Sequence, residues 1–203
     1  MTNLFLASEF SVSAHKITQL LQVEPLIGRK AIFIDTAAKA EGFEPDYDGN
    51  IKPLVDIGLE VVMYDLAGQS EEQVRQLLTD SAVISVSGGN SFCLLEHMKK
   101  CNFGLLLCEL MGKGCIYIGS SAGSIVCSPD IDYIAPMDEK AKATLPDTKG
   151  LGLIDFAFLP HMDSPYQKEA AWKIFGGYKG PPSLMALRDD QVLRVQGPCV
   201  SLL

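Results

Sequence analysis

A serine becomes a useful nucleophile where a backbone turn holds it clear of its neighbours and a base can take its proton. Gly119-Ser120-Ser121-Ala122-Gly123 follows the apolar run Cys115-Ile116-Tyr117-Ile118 and opens a helical stretch. It therefore reads as G-x-S-x-G on a strand–turn–helix, with Ser121 at the tip. Gly119 and Gly123 permit the turn and close strand–helix packing, and the helix N-terminus favours arriving negative charge. An anion-binding turn or a plain packing turn would use the same residues, and the pentapeptide alone leaves both open.

The chain has three histidines, so the search for a base is short. His15 falls on the polar side of a predicted helix and reads as a solvated residue. His97 sits inside the helix after Gly88-Gly89-Asn90 and reads as structural. His161 follows Phe156–Leu159 through Pro160, at a strand end, where parallel sheets place catalytic groups. A base also needs an acid to set its tautomer. Asp189 and Asp190, Asp163, and the loop residues Asp130, Asp132 and Asp138 are the candidates, and spacing does not choose among them. Ser87-Gly88-Gly89-Asn90-Ser91-Phe92 ends another strand. The Gly88-Gly89 turn exposes N–H groups that, with the N–H of Ala122, would make an oxyanion hole. The alternative is a turn capped by Asn90 or Ser91.

Positioning these groups falls to an alternation of apolar strands and amphipathic helices. Strands are expected at Leu4–Ala7, Lys30–Asp35, Glu60–Tyr64, Ser81–Ser87, Cys115–Ile118 and Phe156–Leu159. Helices are expected at 12–22, Asn50–Gly58, from the Ser70-Glu71-Glu72-Gln73 capping box to about Thr79, at 90–100 and at 103–112. The pattern implies a parallel sheet with helices on both faces and its strand C-termini at one edge. Residues 129–150 read as a long loop. Residues 184–188 and 191–195 read as a terminal hairpin about Asp189-Asp190.

The 203 residues, 47% of them hydrophobic, suit one domain over 1–203. A net charge of −8 argues against nucleic acid and anionic lipid as partners. No apolar run reaches membrane-span length. The start of the chain reads as a strand rather than a signal peptide. Six cysteines without a Cys-x-x-Cys pair read as reduced thiols in a cytoplasmic protein. The seven-residue recurrence of Cys101, Cys108 and Cys115 suggests one helix face. No His/Cys ligand cluster is visible, so no metal or cofactor is expected.

Three blocks together, Gly88-Gly89-Asn90-Ser91-Phe92, Tyr117-Ile118-Gly119-Ser120-Ser121-Ala122-Gly123-Ser124 and Leu159-Pro160-His161, resemble the peptidase E family of serine peptidases, family S51. Its members include aspartyl dipeptidases. The resemblance runs from residue 3 to about 196. It implies a three-layer α/β/α sandwich with a mostly parallel sheet, similar to class I glutamine amidotransferase domains. It also implies Ser121 as nucleophile, His161 as base, and oxyanion donors at Gly88 or Gly89 and Ala122. The dipeptidases' third member is a Glu after a turn near the C-terminus. Asp189 takes that place here, with Asp190 as the backup. Where the dipeptidases carry a large aromatic this chain has Ser120. The Arg that reads a substrate Asp is missing, because residues 162–180 contain only Lys168, Lys173 and Lys179 as cations. An Asp in the family's loop has its counterpart near Pro136, two residues before Asp138.

The expected function is therefore hydrolysis of short peptides through a Ser-His-Asp triad, by a monomer or homodimer, without strict N-terminal Asp specificity. Gly88, Gly89, Asn90, Ser120 and Ala122 would shape the oxyanion and substrate site. An esterase of the α/β-hydrolase type, with its acid between 121 and 161, and a non-catalytic ligand-binding or regulatory protein are the alternatives.

Overall fold

The computed structural model describes residues 3–22 and 25–203. Its main sheet has seven strands: β1 Asn3–Ala7, β2 Lys30–Ile34, β3 Glu60–Tyr64, β4 Val83–Val86, β5 Ile116–Ser120, β8 Val192–Gln196 and β9 Cys199–Leu202. Their spatial order is β3-β2-β4-β5-β1-β8-β9. The first five are mutually parallel, and β8 and β9 are antiparallel to their neighbours. A second, two-stranded parallel sheet pairs β6 Ala157–Leu159 with β7 Leu184–Ala186.

Side chains alternate across the strands, and that alternation builds the layers. Leu4 and Leu6 of β1 face the cluster that includes Ile84 and Val86, while Phe5 and Ala7 face the one that includes Phe33 and Ile118. Helices α1 Phe10–Leu21 and α3 Lys52–Asp56 cover the second face through Phe10, Ile17, Leu21 and Leu54. Helices α4 Glu71–Leu78, α5 Ser91–Lys100, α6 Phe103–Gly112 and α8 Lys168–Gly177 cover the first, joined by β6. Two short helices, α2 Thr36–Ala40 and α7 Ala122–Ile125, follow strand ends. The result is the α/β sandwich with a mostly parallel sheet expected from the sequence. No helix among the described residues is long and apolar enough to cross a membrane.

Most expected elements match to within a few residues, and Ser70 and Gln73 form the expected reciprocal cap. Residues 129–150 are a loop carrying two short 3-10 turns, Asp132–Ile134 and Lys140–Lys142. Two expectations need correction. Residues 184–188 and 191–195 are not a hairpin: β7 spends its hydrogen bonds on β6, whereas β8 pairs with β1 and turns back into β9. The Asp189-Asp190 turn thus crosses between two sheets. Cys101, Cys108 and Cys115 share no helix face, because Cys101 ends α5, Cys108 lies exposed on α6, and Cys115 precedes β5. Helices α2 and α8 and strand β9 were not expected.

The strand-to-helix turn after β5 explains its glycines. A Cβ on Gly119 would sit 2.6 Å from the Gly123 carbonyl oxygen. Gly119→Ala is therefore expected to lower unfolding free energy by about 1–3 kcal/mol or more. Gly112→Ala, whose Cβ would meet nothing within 4 Å, is expected to be neutral or mildly stabilising. Urea unfolding of both variants checks the contrast.

Candidate active site

Ser121 stands between β5 and α7 with φ 47° and ψ −108°, a conformation that a non-glycine residue adopts only under constraint. The constraint comes from β1. The Ser121 N–H donates to the carbonyls of both Ala7 and Ser8, at 3.1 Å each, and Ser124 Oγ donates to Ala7 O at 2.8 Å. The parallel register Ala7↔Ser120 puts these groups side by side.

The two-stranded sheet delivers the imidazole and the carboxylate. Leu159 pairs with Ala186, and the ladder continues with Leu187 N–H donating to Leu159 O and Met162 N–H to Leu187 O. His161 and Asp189 leave adjacent strands at the same end. His161 Nε2 lies 2.9 Å from Ser121 Oγ, and its Nδ1 lies 2.7 Å from Asp189 Oδ1. His161 also has positive φ, 69°, and both it and Ser121 are almost buried. Ser8, fully buried, touches both partners: its Oγ accepts the His161 N–H at 2.8 Å and donates to Asp189 Oδ1 at 3.1 Å. Burial pushes the Asp189 carboxyl up, but the bonds and charge of His161, with those of Ser8 and Ser164, outweigh it and hold the group below its ordinary 3.8.

The other acids go elsewhere. Asp190 is exposed beside Arg188. Asp163 accepts the Asp189 N–H at 2.8 Å. Asp130 accepts the Asp132 N–H, and Asp132 pairs with Lys140. Asp138 accepts the Ser91 N–H at 2.8 Å, and burial raises its carboxyl. No acid between 121 and 161 bonds His161, and the hydrogen-bonded set runs Ser121, His161, Asp189 along the chain, unlike the α/β-hydrolase order. His15 is exposed and His97 half-buried on α5.

Gly88 lies against Ser121, where an added Cβ would be 3.2 Å from the serine Cβ. Gly89 has φ 131° and runs so close to α2 that a Cβ would fall 2.1 Å from Ala37 O. Among the described residues, the N–H groups of Gly88, Gly89 and Ala122 have no backbone acceptor. A cavity of about 580 Å³ opens on Ser121, His161, Gly88 and Gly89, large enough for a small peptide. Asn90 and Ser120 do not line it. Asn90 is fully buried, capping α5 through Cys93 N–H and donating to Glu41 and to the Glu139 carbonyl. Ser120 Oγ accepts the Phe10 N–H at 3.0 Å.

Sequence reasoning missed Ser8 and the cavity residues Glu9, Glu41, Phe43 and Lys142. Ser8 did carry a signal, since it directly follows a strand whose C-terminal end faces the site. Glu41 and Lys142 carried none, because they meet only through tertiary packing.

The sequence model of Peptidase family S51 matches residues 4–203. An uncharacterized peptidase of Listeria monocytogenes is 33% identical over 198 residues, covering 97% of this chain and 96% of that protein. A probable alpha-aspartyl dipeptidase of Drosophila melanogaster is 30% identical over 138 residues, 64% of this chain and 56% of its own. The crystal structure of a candidate peptidase E from Listeria monocytogenes superposes with a TM-score of 0.91 at 32% identity, covering 100% of this chain and 98% of that one.

Ser8→Ala leaves the buried His161 N–H without its acceptor, so unfolding free energy is expected to fall by about 1–3 kcal/mol, read by urea denaturation. The Asp189 carboxyl is depressed in the folded state, so its stabilisation is present above its ordinary 3.8 and lost as pH falls through the lower folded value. The stability gap between wild type and Asp189→Asn is accordingly expected to close below pH 3.8, read by unfolding at a series of acidic pH values.

Proposed function

This chain belongs to peptidase family S51 and is a serine-type peptidase of the dipeptidase-like peptidase E group; on that footing we propose that it cleaves short peptides through an acyl-enzyme on Ser121. The observation that carries the reading is the unbroken hydrogen-bond chain from Ser121 Oγ through His161 to Asp189, at 2.9 and 2.7 Å. A serine hydroxyl so placed has its proton acceptor already in line.

In this mechanism Ser121 Oγ attacks the scissile carbonyl carbon while its proton passes to His161 Nε2. The negative charge that develops on the carbonyl oxygen is held by the N–H groups of Gly88 or Gly89 and of Ala122. Collapse of the tetrahedral species breaks the C–N bond, and His161 gives its proton to the leaving amine. A water molecule then attacks the acyl-enzyme, losing a proton to His161, which returns it to Ser121 Oγ. Asp189 stays ionised throughout, holding the ring by Nδ1 and stabilising the imidazolium. Its depressed pKa supports that role, and Ser8 fixes the carboxylate oxygen that faces the ring.

Labelling with a small fluorophosphonate, read by intact mass, tests the proposal. A single adduct is expected on wild type and none on Ser121→Ala or His161→Ala. An adduct that survives Ser121→Ala would place the nucleophile elsewhere. Asp189→Asn is expected to keep the fold near neutral pH and to lose on the order of 10⁴ in kcat, measured by steady-state hydrolysis of a chromogenic aminoacyl amide.

A further inference from the structure

The cavity wall around Ser121 is strongly acidic. Glu9, Glu41 and Glu139 bring three carboxylates to it, beside the Asp138 carboxyl that burial pushes up, and Lys142 is the one lysine or arginine on the wall among the described residues. That lysine is already engaged, with Nζ 2.6 Å from Glu41 and 3.8 Å from Glu139. Its partners are held in place: buried Asn90 donates to the Glu41 carboxylate at 3.0 Å and to the Glu139 carbonyl at 3.2 Å. The hydrogen bond from Lys142, against the opposing effect of burial, keeps the Glu41 carboxyl below its ordinary value, so the pair stays charged.

The arginines are spent elsewhere. Arg29 precedes β2, at the opposite end of the parallel strands. Arg75 pairs with Glu71 and Glu109, Arg188 lies exposed beside Asp190, and Arg194 lies over the Phe5 ring. No guanidinium is therefore on the wall to take a carboxylate in the two-pronged geometry that such recognition favours.

A substrate carboxylate entering this cavity would lose water and gain like charges, with no unpaired cation to meet it. An α-ammonium or a basic side chain would meet the opposite field. Resting on the Ser121 reading above, we infer that the cavity selects the acyl residue of its substrate by charge. Lysine- or arginine-like residues are taken in preference to neutral ones of the same shape, and neutral ones in preference to aspartate or glutamate. The selection inverts the aspartyl preference named for the Drosophila relative.

The test is a panel of aminoacyl p-nitroanilides in isosteric pairs, Asp against Asn, Glu against Gln and Lys against norleucine, on the full chain. Pairing by shape isolates charge, and a constant leaving group removes the second residue. The expected kcat/KM is about tenfold higher for Asn than for Asp, and higher for Lys than for norleucine. Both ratios are expected to shrink as salt rises from about 0.01 to about 1 M. Glu41→Gln removes one carboxylate and leaves Lys142 with only the 3.8 Å contact to Glu139, so it is expected to narrow the Asn-to-Asp ratio severalfold. An Asp derivative cleaved as fast as its Asn partner, or a Lys derivative no faster than norleucine, overturns the inference. No turnover of any member while fluorophosphonate still labels Ser121 also overturns it and leaves the serine reading standing. Loss of both turnover and labelling removes the reading on which it rests.

Discussion

The site depends on the last residue of β1 and the one that follows it. Ala7 and Ser8 offer their carbonyls to a single N–H, that of Ser121, and so hold a backbone conformation that would otherwise relax. Such a conformation costs on the order of 1–3 kcal/mol, and it persists because several bonds fix it at once. Ser8 adds its side chain to the same task. Its hydroxyl reaches residues 153 and 181 positions away in the chain, accepting from His161 N–H and donating to Asp189. Its own N–H donates to Gln191 O, which ties the turn before β8 to the same point. One small, fully buried residue thus meets the Ser121 backbone, the His161 backbone and the Asp189 side chain.

How much of this could be read from the sequence follows from the range of the interactions. The parallel strands were legible because each is a short apolar run bounded by turn residues, and α4 because its cap is local. The Ser121 turn was legible because Gly119 and Gly123 must be small for the backbones to touch. Helix α2 is not legible because Thr36–Ala40 is too short to show a period, and β9 because its side chains are all exposed. The Asp189 turn differs from the expected hairpin because local pattern shows two strands flanking a turn but not which partner each strand takes. Asn90 drew attention for its place beside two glycines, yet its side chain is consumed by capping and by holding the loop at Glu139. Ser120 likewise follows the glycine that matters, but its hydroxyl serves the first turn of α1.

Charge at the site is arranged at two depths. Near the reacting atoms, Asp189 is kept ionised by directed hydrogen bonds that overcome its burial. Further out, Asp138 is driven the other way by burial despite the Ser91 N–H. The first carboxyl has a defined partner and the second has mainly enclosure. The long loop that carries Asp138 and Glu139 is pinned to the start of α5 by Ser91 and Asn90. The same strand end that supplies the Gly88-Gly89 turn therefore also fixes the cavity's acidic wall.

The presence of two sheets has a mechanical consequence. His161 and Asp189 both issue from the small sheet of β6 and β7, while Ser121 issues from the main one. The imidazole and the carboxylate therefore share one frame, which Ser8 ties to the end of β1 through both of them. The 2.9 Å contact between Nε2 and Oγ crosses from one sheet's frame to the other's, whereas the 2.7 Å contact with Asp189 joins groups that leave the small sheet together. Phe158 and Leu159 seat the small sheet in the main core, so side chains outside the cavity set the distance at which the imidazole meets Ser121.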